Sequence, residues 1–169
     1  PAYEPGNSDR RWWAIFTRSR HEKALARELE RFDIPFFLPL VIRENRIRSR
    51  IVEVYWPLFG GYVFMFGRDD ERVRALTTNR VATVLAVPDQ WQLRNDLKQL
   101  NRLIELDAPL TIERRLMPGR RVRIKSGPMR GLEGVVTQRR GGQRRLLVAV
   151  EFIQHGVSVE IDDFMVEPV

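Results

Sequence analysis

Hydrophobic residues in the first hundred positions alternate between strand-like runs and helix-like spacing. Trp12–Phe16 is a compact run of aromatic and aliphatic residues, which is typical of a buried strand. Ser19 and Glu22 have the spacing of a capping box and predict that a helix starts there. The following apolar residues recur at i, i+4 and i+7 and form one stripe of that helix: Leu25, Leu29 and Phe32.

A second strand is predicted at Phe36–Leu38, and a polar, basic stretch follows it. Residues 41–54 read as a projecting hairpin with a return strand at Ile51–Tyr55. Its basic side chains are Arg43, Arg46, Arg48 and Arg50.

The most hydrophobic strand of the chain is Tyr62–Phe66, which Gly60 and Gly61 introduce. Acidic residues 69–71 predict the first turn of a short helix, where the helix dipole favours negative charge. A further strand is predicted at Val84–Val87. Asp89 then precedes a longer helix whose apolar face consists of Leu93, Leu97, Leu100 and Ile104. Residues 11–107 therefore predict an α+β domain, an α/β sandwich of a mixed or antiparallel sheet with flanking helices.

Helical periodicity stops after residue 107, and the pattern changes twice. We predict a flexible leader at residues 1–10, a linker at residues 108–117 and a second domain at residues 118–169. In the second domain, short alternating strands are separated by turns at Gly127–Pro128 and Gly141–Gly142. This spacing predicts a small β-barrel.

Composition excludes several functional classes. The chain contains no cysteine, so disulfides and thiol catalysis are excluded. We expect no metal or other cofactor, because the two histidines, His21 and His155, fall in different predicted domains. A phosphate-binding loop ending in Gly-Lys-Ser or Gly-Lys-Thr is also missing, and we expect no enzymatic activity.

No apolar stretch is long enough to span a membrane, and the polar N-terminal residues lack a signal-peptide core, so a cytoplasmic location is expected. The net charge of +7 favours an anionic partner, although all but three of the 29 basic residues are arginines and a codon-usage bias would also produce that excess.

Two motifs resemble the NusG/RfaH family of transcription elongation and antitermination factors. Residues 57–64 read PLFGGYVF, close to the PLFPGYVF signature of the N-terminal (NGN) domain of that family. Residues 118–136 read PGRRVRIKSGPMRGLEGVV, which is similar to the KOW motif of its C-terminal barrel. Gly60 departs from the signature, which has proline at that position, so the shape of this loop is less constrained.

The resemblance implies a monomer that binds RNA polymerase. In the family, an apolar hollow of the NGN domain receives a coiled-coil tip of the largest polymerase subunit. The matching positions here, together with Gly60 of the turn, are Phe16, Phe59, Tyr62 and Phe64. The residues alone also permit the plainer interpretation that these aromatics belong to the core.

Two further contacts follow from the resemblance. Thr77 and Thr78 lie where related factors contact the second-largest polymerase subunit, although a helix end with its turn would look the same. Some specialised members touch non-template DNA at positions that correspond to Arg18, Arg20, His21 and Arg80. A solvated basic surface is the alternative for these four residues.

On the KOW domain, Ile153 aligns with an exposed aromatic position through which the family binds a ribosomal small-subunit protein or the termination factor Rho. Phe152 would take this role in a different strand register, and Leu132 either joins it or belongs to the core. The missing aromatic at Ile153 and the divergent Gly60 favour a specialised paralog over a general NusG.

A KOW-containing RNA-binding protein of the ribosome is the remaining alternative. It would use the arginines that flank the Gly141–Gly142 turn, which are Arg139, Arg140, Arg144 and Arg145.

Overall fold

A computed structural model describes residues 9–138, 141–162 and 165–169 of the chain. It divides into two compact units, Pro1–Gln90 and Trp91–Val169. Arg139 and Arg140, which the RNA-binding alternative uses, lie outside the described residues.

The first unit consists of a four-stranded antiparallel sheet, a separate hairpin and two helices. Its elements are β1 (Arg11–Thr17), α1 (Glu22–Arg31), β2 (Phe36–Phe37), β3 (Leu40–Ile47), β4 (Arg50–Pro57), β5 (Tyr62–Gly67), α2 (Asp69–Leu76) and β6 (Val81–Ala86). The strand order of the sheet is β2-β5-β1-β6, so β5 and β1 are central and β2 and β6 are the edges.

One face of this sheet carries the core of the first unit. Because side chains alternate along a strand, Trp13 and Ile15 of β1 share a face with Val63 and Met65 of β5. These residues are buried with the apolar stripe of α1 and with Ala75 of α2. The predicted helical spacing at Leu25 and Leu29 thus corresponds to the buried face of α1.

The start of α1 differs from the prediction. The helix begins at Glu22, and its N-cap residue is His21, whose side chain makes no capping hydrogen bond. The predicted capping box between Ser19 and Glu22 is wrong, because the Glu22 carboxylate instead accepts a hydrogen bond from the backbone N–H of Gly61, 3.0 Å away. The first turn of the helix therefore holds a distant loop.

The second unit contains α3, which starts at the last residue of the first unit, and a six-stranded sheet. Its elements are α3 (Gln90–Glu105), β7 (Thr111–Glu113), β8 (Arg120–Ile124), β9 (Glu133–Gln138), β10 (Arg144–Val150), a 3₁₀ turn (Glu151–Ile153), β11 (His155–Glu160) and β12 (Val166–Pro168). The strand order is β12-β8-β9-β10-β11-β7, and every pair is antiparallel.

The predicted succession of elements and the α+β class are confirmed, but the barrel is not closed. Within the described residues, the edge strands β12 and β7 do not pair with each other. Gly134 lets β9 and β10 approach closely, because a Cβ at that position would meet the carbonyl oxygen of Leu147.

The segment predicted as a linker, residues 108–117, contains β7, which pairs with β11. Residues Thr111–Glu113 pair with the sheet through backbone hydrogen bonds, whereas the loss of helical periodicity had predicted irregular structure for this segment. The predicted domain boundaries at residues 11–107 and 118–169 stay a prediction. In the described part of the chain, no helix is long and apolar enough to cross a membrane.

Candidate functional site

A tight turn joins β4 to β5 and lies at the centre of the candidate site. The N–H of Tyr62 donates to the carbonyl of Phe59 (3.1 Å), which closes a four-residue turn around Gly60 and Gly61. Gly61 has φ of +89°, as the third residue of a type II turn requires. A Cβ on Gly61 would also lie 2.8 Å from Cε2 of Phe16, so the ring of Phe16 covers a glycine that cannot easily be replaced.

Two neighbouring elements fix this turn. The N–H of Thr17, at the end of β1, donates to the carbonyl of Gly61 (2.7 Å). The buried carboxylate of Glu22 accepts from the N–H of the same glycine (3.0 Å). Both backbone groups of Gly61 are thereby held by residues close to the Phe16 ring.

Beside the turn, a cavity of about 690 Å³ opens between the end of β1, the start of α1 and the end of β4. We call it the Phe16 hollow. Phe16 is 42% exposed, and its ring contacts that of Tyr62 edge to face, with centroids 5.3 Å apart. The other lining residues are Thr17, Ser19, Arg20, Glu22, Lys23, Val54, Tyr55, Trp56, Pro57, Gly60 and Gly61.

Sequence reasoning missed two aromatic residues of the hollow. Tyr55 and Trp56, at the end of β4, are 54% and 44% exposed. They immediately precede the PLFGGYVF motif, and an aromatic pair next to that motif was the available signal. Their exposure beside Phe16 makes the hollow more aromatic than the motif alone predicted.

Phe59 and Phe64 do not line this hollow. Phe59 is 3% exposed and Phe64 is completely buried. Phe64 faces the side of the sheet opposite to Met65, and its ring leaves no surface for a partner in this conformation. This corrects the expectation that all four aromatics of the resemblance form one open pocket, and the core interpretation applies to these two.

Basic residues surround the junction of β1, α1 and β6. The N–H of Arg18 donates to the carbonyl of Arg80 (2.9 Å), so the structure brings these two predicted residues together. Arg20 has a left-handed backbone and is exposed, while His21 and Arg80 are half-buried. None of the three arginines forms a salt bridge with another described residue.

Thr77 and Thr78 lie at the end of α2. The Thr77 hydroxyl donates to the carbonyl of Arg74 (2.6 Å), and the Thr78 hydroxyl donates to the carbonyl of Ala75 (2.7 Å). Both hydroxyls satisfy carbonyls of the last helical turn, as the plainer interpretation of this segment expected. Thr77 is nevertheless exposed, whereas Thr78 is half-buried.

A comparison of the chain with models of known protein families shows which family it belongs to. A model of the NusG family, described as transcription termination factor NusG, matches residues 10–117, which is more than half of the chain. The chain belongs to the NusG family. NusG-family proteins are transcription elongation factors that bind RNA polymerase. The match contains the complete Phe16 hollow and the turn that forms it.

Two solved structures are similar along almost the whole chain. One describes domain interaction in Thermotoga maritima NusG; it is 19% identical, and the similarity covers 95% of this chain and 97% of that one with a TM-score of 0.49. The other is a MjSpt4:Spt5 complex, 18% identical, with 94% and 96% coverage and a TM-score of 0.26. A comparison with curated proteins finds no match.

In this NusG-family chain, the residues predicted to bind a KOW partner differ in exposure. Leu132 and Ile153 are 1% and 8% exposed, and their side chains belong to the core of the second unit. The 3₁₀ turn at Glu151–Ile153 buries Ile153 and leaves Phe152 half-buried at the surface. The expectation for Leu132 and Ile153 is corrected, and Phe152 remains the partner-binding candidate.

Polar side chains of α3 hold the two segments that contain these residues. The side-chain amide of Gln99 pairs with both backbone groups of Glu133, at 3.0 and 2.7 Å. The Asp96 carboxylate accepts from the N–H of Glu151 (3.0 Å). Burial raises the pKa of Asp96 to about 6, although the hydrogen bonds from Glu151 and Gln92 act in the opposite direction.

The RNA-binding alternative loses one of its arginines. Arg145 is 8% exposed, and its guanidinium donates to the hydroxyl of Ser158 (2.9 Å), the carbonyl of Ser158 (2.8 Å) and the hydroxyl of Thr111 (3.0 Å). These bonds connect β10, β11 and β7, so Arg145 stabilises the sheet. Among the described residues, no group of three or more His, Asp or Glu side chains is placed to hold a metal ion.

Proposed function

We propose that this NusG-family chain is a cytoplasmic, non-catalytic elongation or antitermination factor that acts as a monomer. It binds the clamp of RNA polymerase through the Phe16 hollow and suppresses pausing or termination. Binding that favours the active state of the polymerase over the paused state is sufficient for this effect. The C-terminal domain then brings a partner to high effective concentration.

The observation that carries the proposal is the partial exposure of Phe16 beside a rigid turn. Its ring is 42% exposed, contacts Tyr62 and lies over Gly61, whose two backbone groups are fixed by Thr17 and Glu22. Aromatic side chains on a preorganised surface lose little conformational entropy on binding and are typical interface hot spots. A coiled-coil tip of the largest polymerase subunit fits an apolar hollow of this kind.

The test replaces the exposed ring of Phe16 and the half-buried ring of Tyr62 that contacts it, Phe16→Ala and Tyr62→Ala, in the full chain. We expect binding to core RNA polymerase to weaken at least about tenfold, since a single hot-spot truncation costs about 2 kcal/mol or more. Titration of fluorescently labelled protein with polymerase measures the affinity. Trp91→Ala is the matched control, because Trp91 is 68% exposed and lies outside the hollow.

Circular dichroism of each variant shows whether its fold is retained. A folded double variant that still binds polymerase with the original affinity would refute the proposal. Loss of binding in the Trp91 variant as well would show that the hollow is not the specific contact.

The polymerase-bound protein would make two further contacts. Exposed Thr77 at the end of α2 would reach the second-largest subunit. Arg18, Arg20 and Arg80, with His21 between them in the chain, would contact non-template DNA, and their clustering supports this role. Charge reversal of Arg20 and Arg80 should then weaken binding to an elongation complex that contains exposed non-template DNA, and unchanged binding would exclude the DNA contact.

Recruitment through the C-terminal domain would use Phe152, which is half-buried, in place of the buried Ile153. The partner is a ribosomal small-subunit protein or Rho. Gly60 and the absence of an exposed aromatic at position 153 favour a specialised paralog over a general NusG. Pause lifetimes measured on templates with and without an upstream recruitment sequence distinguish these two: a general factor acts on both templates equally.

A further inference from the structure

The β3–β4 hairpin is a ribbon that stands apart from the main sheet of the first unit. It forms a two-stranded sheet of its own, with register from the pair Leu40–Pro57 to the pair Ile47–Arg50. Every residue from Ile42 to Glu53 is exposed. At about 3.3 Å per residue, the six exposed residues of β3 extend for about 20 Å. The hairpin thus has no core function along most of its length.

Four arginines of the ribbon are available for a ligand. Within the described part of the chain, none of Arg43, Arg46, Arg48 and Arg50 forms a salt bridge. Directly paired residues lie on the same face of a hairpin, and faces alternate along each strand. Arg43 and Arg50 therefore lie on one face, Arg46 lies on the other, and Arg48 occupies the turn.

The two faces differ in their acidic residues. Glu44 and Glu53 are directly opposite each other on the face of Arg46, three residue pairs from the tip. The face of Arg43 and Arg50 has no acidic side chain and includes Asn45. We call this second face the acid-free face. Its exposed apolar residues near the tip are Ile47 and Val52, which are 50% and 39% exposed.

The tip itself is an unfavourable sequence for its conformation. Arg48 and Ser49 both have positive φ, 50° and 64°, as a two-residue type I′ turn requires. Asn-Gly is the preferred sequence at such a turn, and a left-handed conformation costs most other residues about 1 kcal/mol or more. The chain nevertheless carries an arginine at the end of the ribbon.

We propose that this ribbon inserts into the major groove of duplex DNA, with the acid-free face towards the base edges. The major groove, about 12 Å wide and 8.5 Å deep, admits a two-stranded ribbon. Arg43 and Arg50 on the acid-free face and Arg48 at the tip have long side chains that can reach the phosphates bordering the groove. On the acid-free face, Asn45 and the apolar side chains can contact base edges and thymine methyl groups.

The shape of the ribbon favours DNA over double-stranded RNA. The major groove of A-form RNA is too narrow and deep for a ribbon of this width. The site is separate from the Phe16 hollow in its chemistry, since it offers guanidinium groups to phosphates instead of aromatic rings to a protein. Binding of DNA by the ribbon therefore does not depend on the polymerase contact, and it is tested without polymerase.

The test measures the affinity of the full chain for a fluorescently labelled 20-base-pair DNA duplex as a function of salt. Replacement of the three arginines nearest the tip, Arg46→Gln, Arg48→Gln and Arg50→Gln, should weaken binding at least about tenfold at 0.1 M salt. The slope of log K against log salt should fall by about 2, because each phosphate contact contributes about 0.9 and Arg48 and Arg50 are the two replaced residues that reach phosphates. An RNA duplex of the same sequence should bind more weakly than the DNA.

Two control proteins separate the ribbon from general charge and from unfolding. The first control protein lacks the same number of charges at exposed positions outside the ribbon, through the substitutions Arg27→Gln, Arg114→Gln and Arg115→Gln. Its slope should change by less than about 1. Arg48→Asn with Ser49→Gly removes the tip charge while it provides the preferred turn sequence, so the hairpin stays formed and the slope should fall by about 1.

Three results would overturn the proposal. Equal losses in the ribbon variant and in the charge-matched control would show that only net charge matters. An unchanged slope in the ribbon variant would show that these arginines do not touch phosphates. Equal or tighter binding of the RNA duplex would exclude insertion into a B-form major groove.

Discussion

The Phe16 hollow of the first unit and the Leu132–Ile153 region of the second are both rich in apolar side chains, but they differ in solvent exposure. Around the hollow, Phe16, Tyr55 and Trp56 are each more than 40% exposed. In the second unit, Leu132 and Ile153 are at most 8% exposed. The same kind of side chain is thus exposed to solvent in one unit and part of the core in the other.

Backbone geometry explains the difference. In the first unit, a turn with a left-handed glycine holds the ring of Phe16 over Gly61, where no further layer of side chains covers it completely. In the second unit, the 3₁₀ turn at Glu151–Ile153 directs Ile153 inward, and α3 fastens the adjoining backbone through Asp96. Hydrophobic character alone predicts burial for both sets of residues, and only the local backbone geometry separates the exposed set from the buried one.

The largest expected effect on stability is that of Leu132→Ala. Because Leu132 is 1% exposed, the substitution should lower the free energy of unfolding of the second unit by about 2 to 5 kcal/mol. Phe16→Ala in the first unit should cost less, since almost half of the ring is already in water. Urea unfolding followed by NMR signals from each unit separately measures both values.

Leu106→Ala is the matched control for the second unit, because Leu106 is 38% exposed and loses the same atoms. It should cost no more than about 1 kcal/mol. If Leu132→Ala lowers the free energy of unfolding as little as Leu106→Ala does, Leu132 is not a core residue, and it becomes a candidate for partner binding again.

The fold could be predicted from the sequence to a large extent, because its signals are local. Trp12–Phe16 lies within β1, and the spacing of Leu25 and Leu29 identified the buried face of α1. Glu22 was misinterpreted because its partner, Gly61, is 39 residues away in the chain. A capping box is a local pattern, and only the folded chain shows that a distant N–H competes for the same carboxylate.

The candidate site was harder to predict, because its exposure depends on packing. The motif at residues 57–64 located the turn correctly, but sequence could not separate exposed Phe16 from buried Phe64. Tyr55 and Trp56 were missed because the arginines of the hairpin dominate the pattern of that segment. Conversely, Ile153 matched an exposed position of the family by alignment, and a 3₁₀ turn in the structure buries it.

A smaller effect, dependent on pH, is expected from Asp96→Asn. Burial raises the pKa of Asp96 to about 6 from 3.8, so ionised Asp96 destabilises the folded state at neutral pH; this penalty shrinks as the pH falls through 6 and is gone only below 3.8. Asparagine keeps an acceptor for the N–H of Glu151 and carries no charge. The variant should therefore be more stable by about 1 kcal/mol at pH 7.5, after allowance for screening by solvent, and the gain should shrink to about a third of that value at pH 4.5.

Urea unfolding of the second unit at the two pH values measures this difference. Glu160→Gln is the control, because Glu160 is an exposed acid of the same unit and should give the same small change at both pH values. A loss of stability in Asp96→Asn at pH 7.5 would show that the ionised carboxylate is needed. In that case, α3 would hold Glu151 by a charge-assisted bond, and the comparison would have to include electrostatics as well as burial.

The smallest effect tests whether the turn of the hollow is as rigid as it can be. Gly60 is the second residue of the Phe59–Tyr62 turn, a position where type II turns favour proline, and no atom lies within 4 Å of a Cβ placed there. Gly60→Pro should stabilise the first unit by about 0.4 to 1 kcal/mol, because it restricts the unfolded chain without loss of a described backbone hydrogen bond.

Gly61→Ala should have the opposite effect, since φ is +89° and the new Cβ would meet the Phe16 ring. Thermal unfolding of the two single variants gives both signs in one experiment. If Gly60→Pro destabilises the first unit, the turn does not have type II geometry, and the exposure of Phe16 cannot be attributed to it.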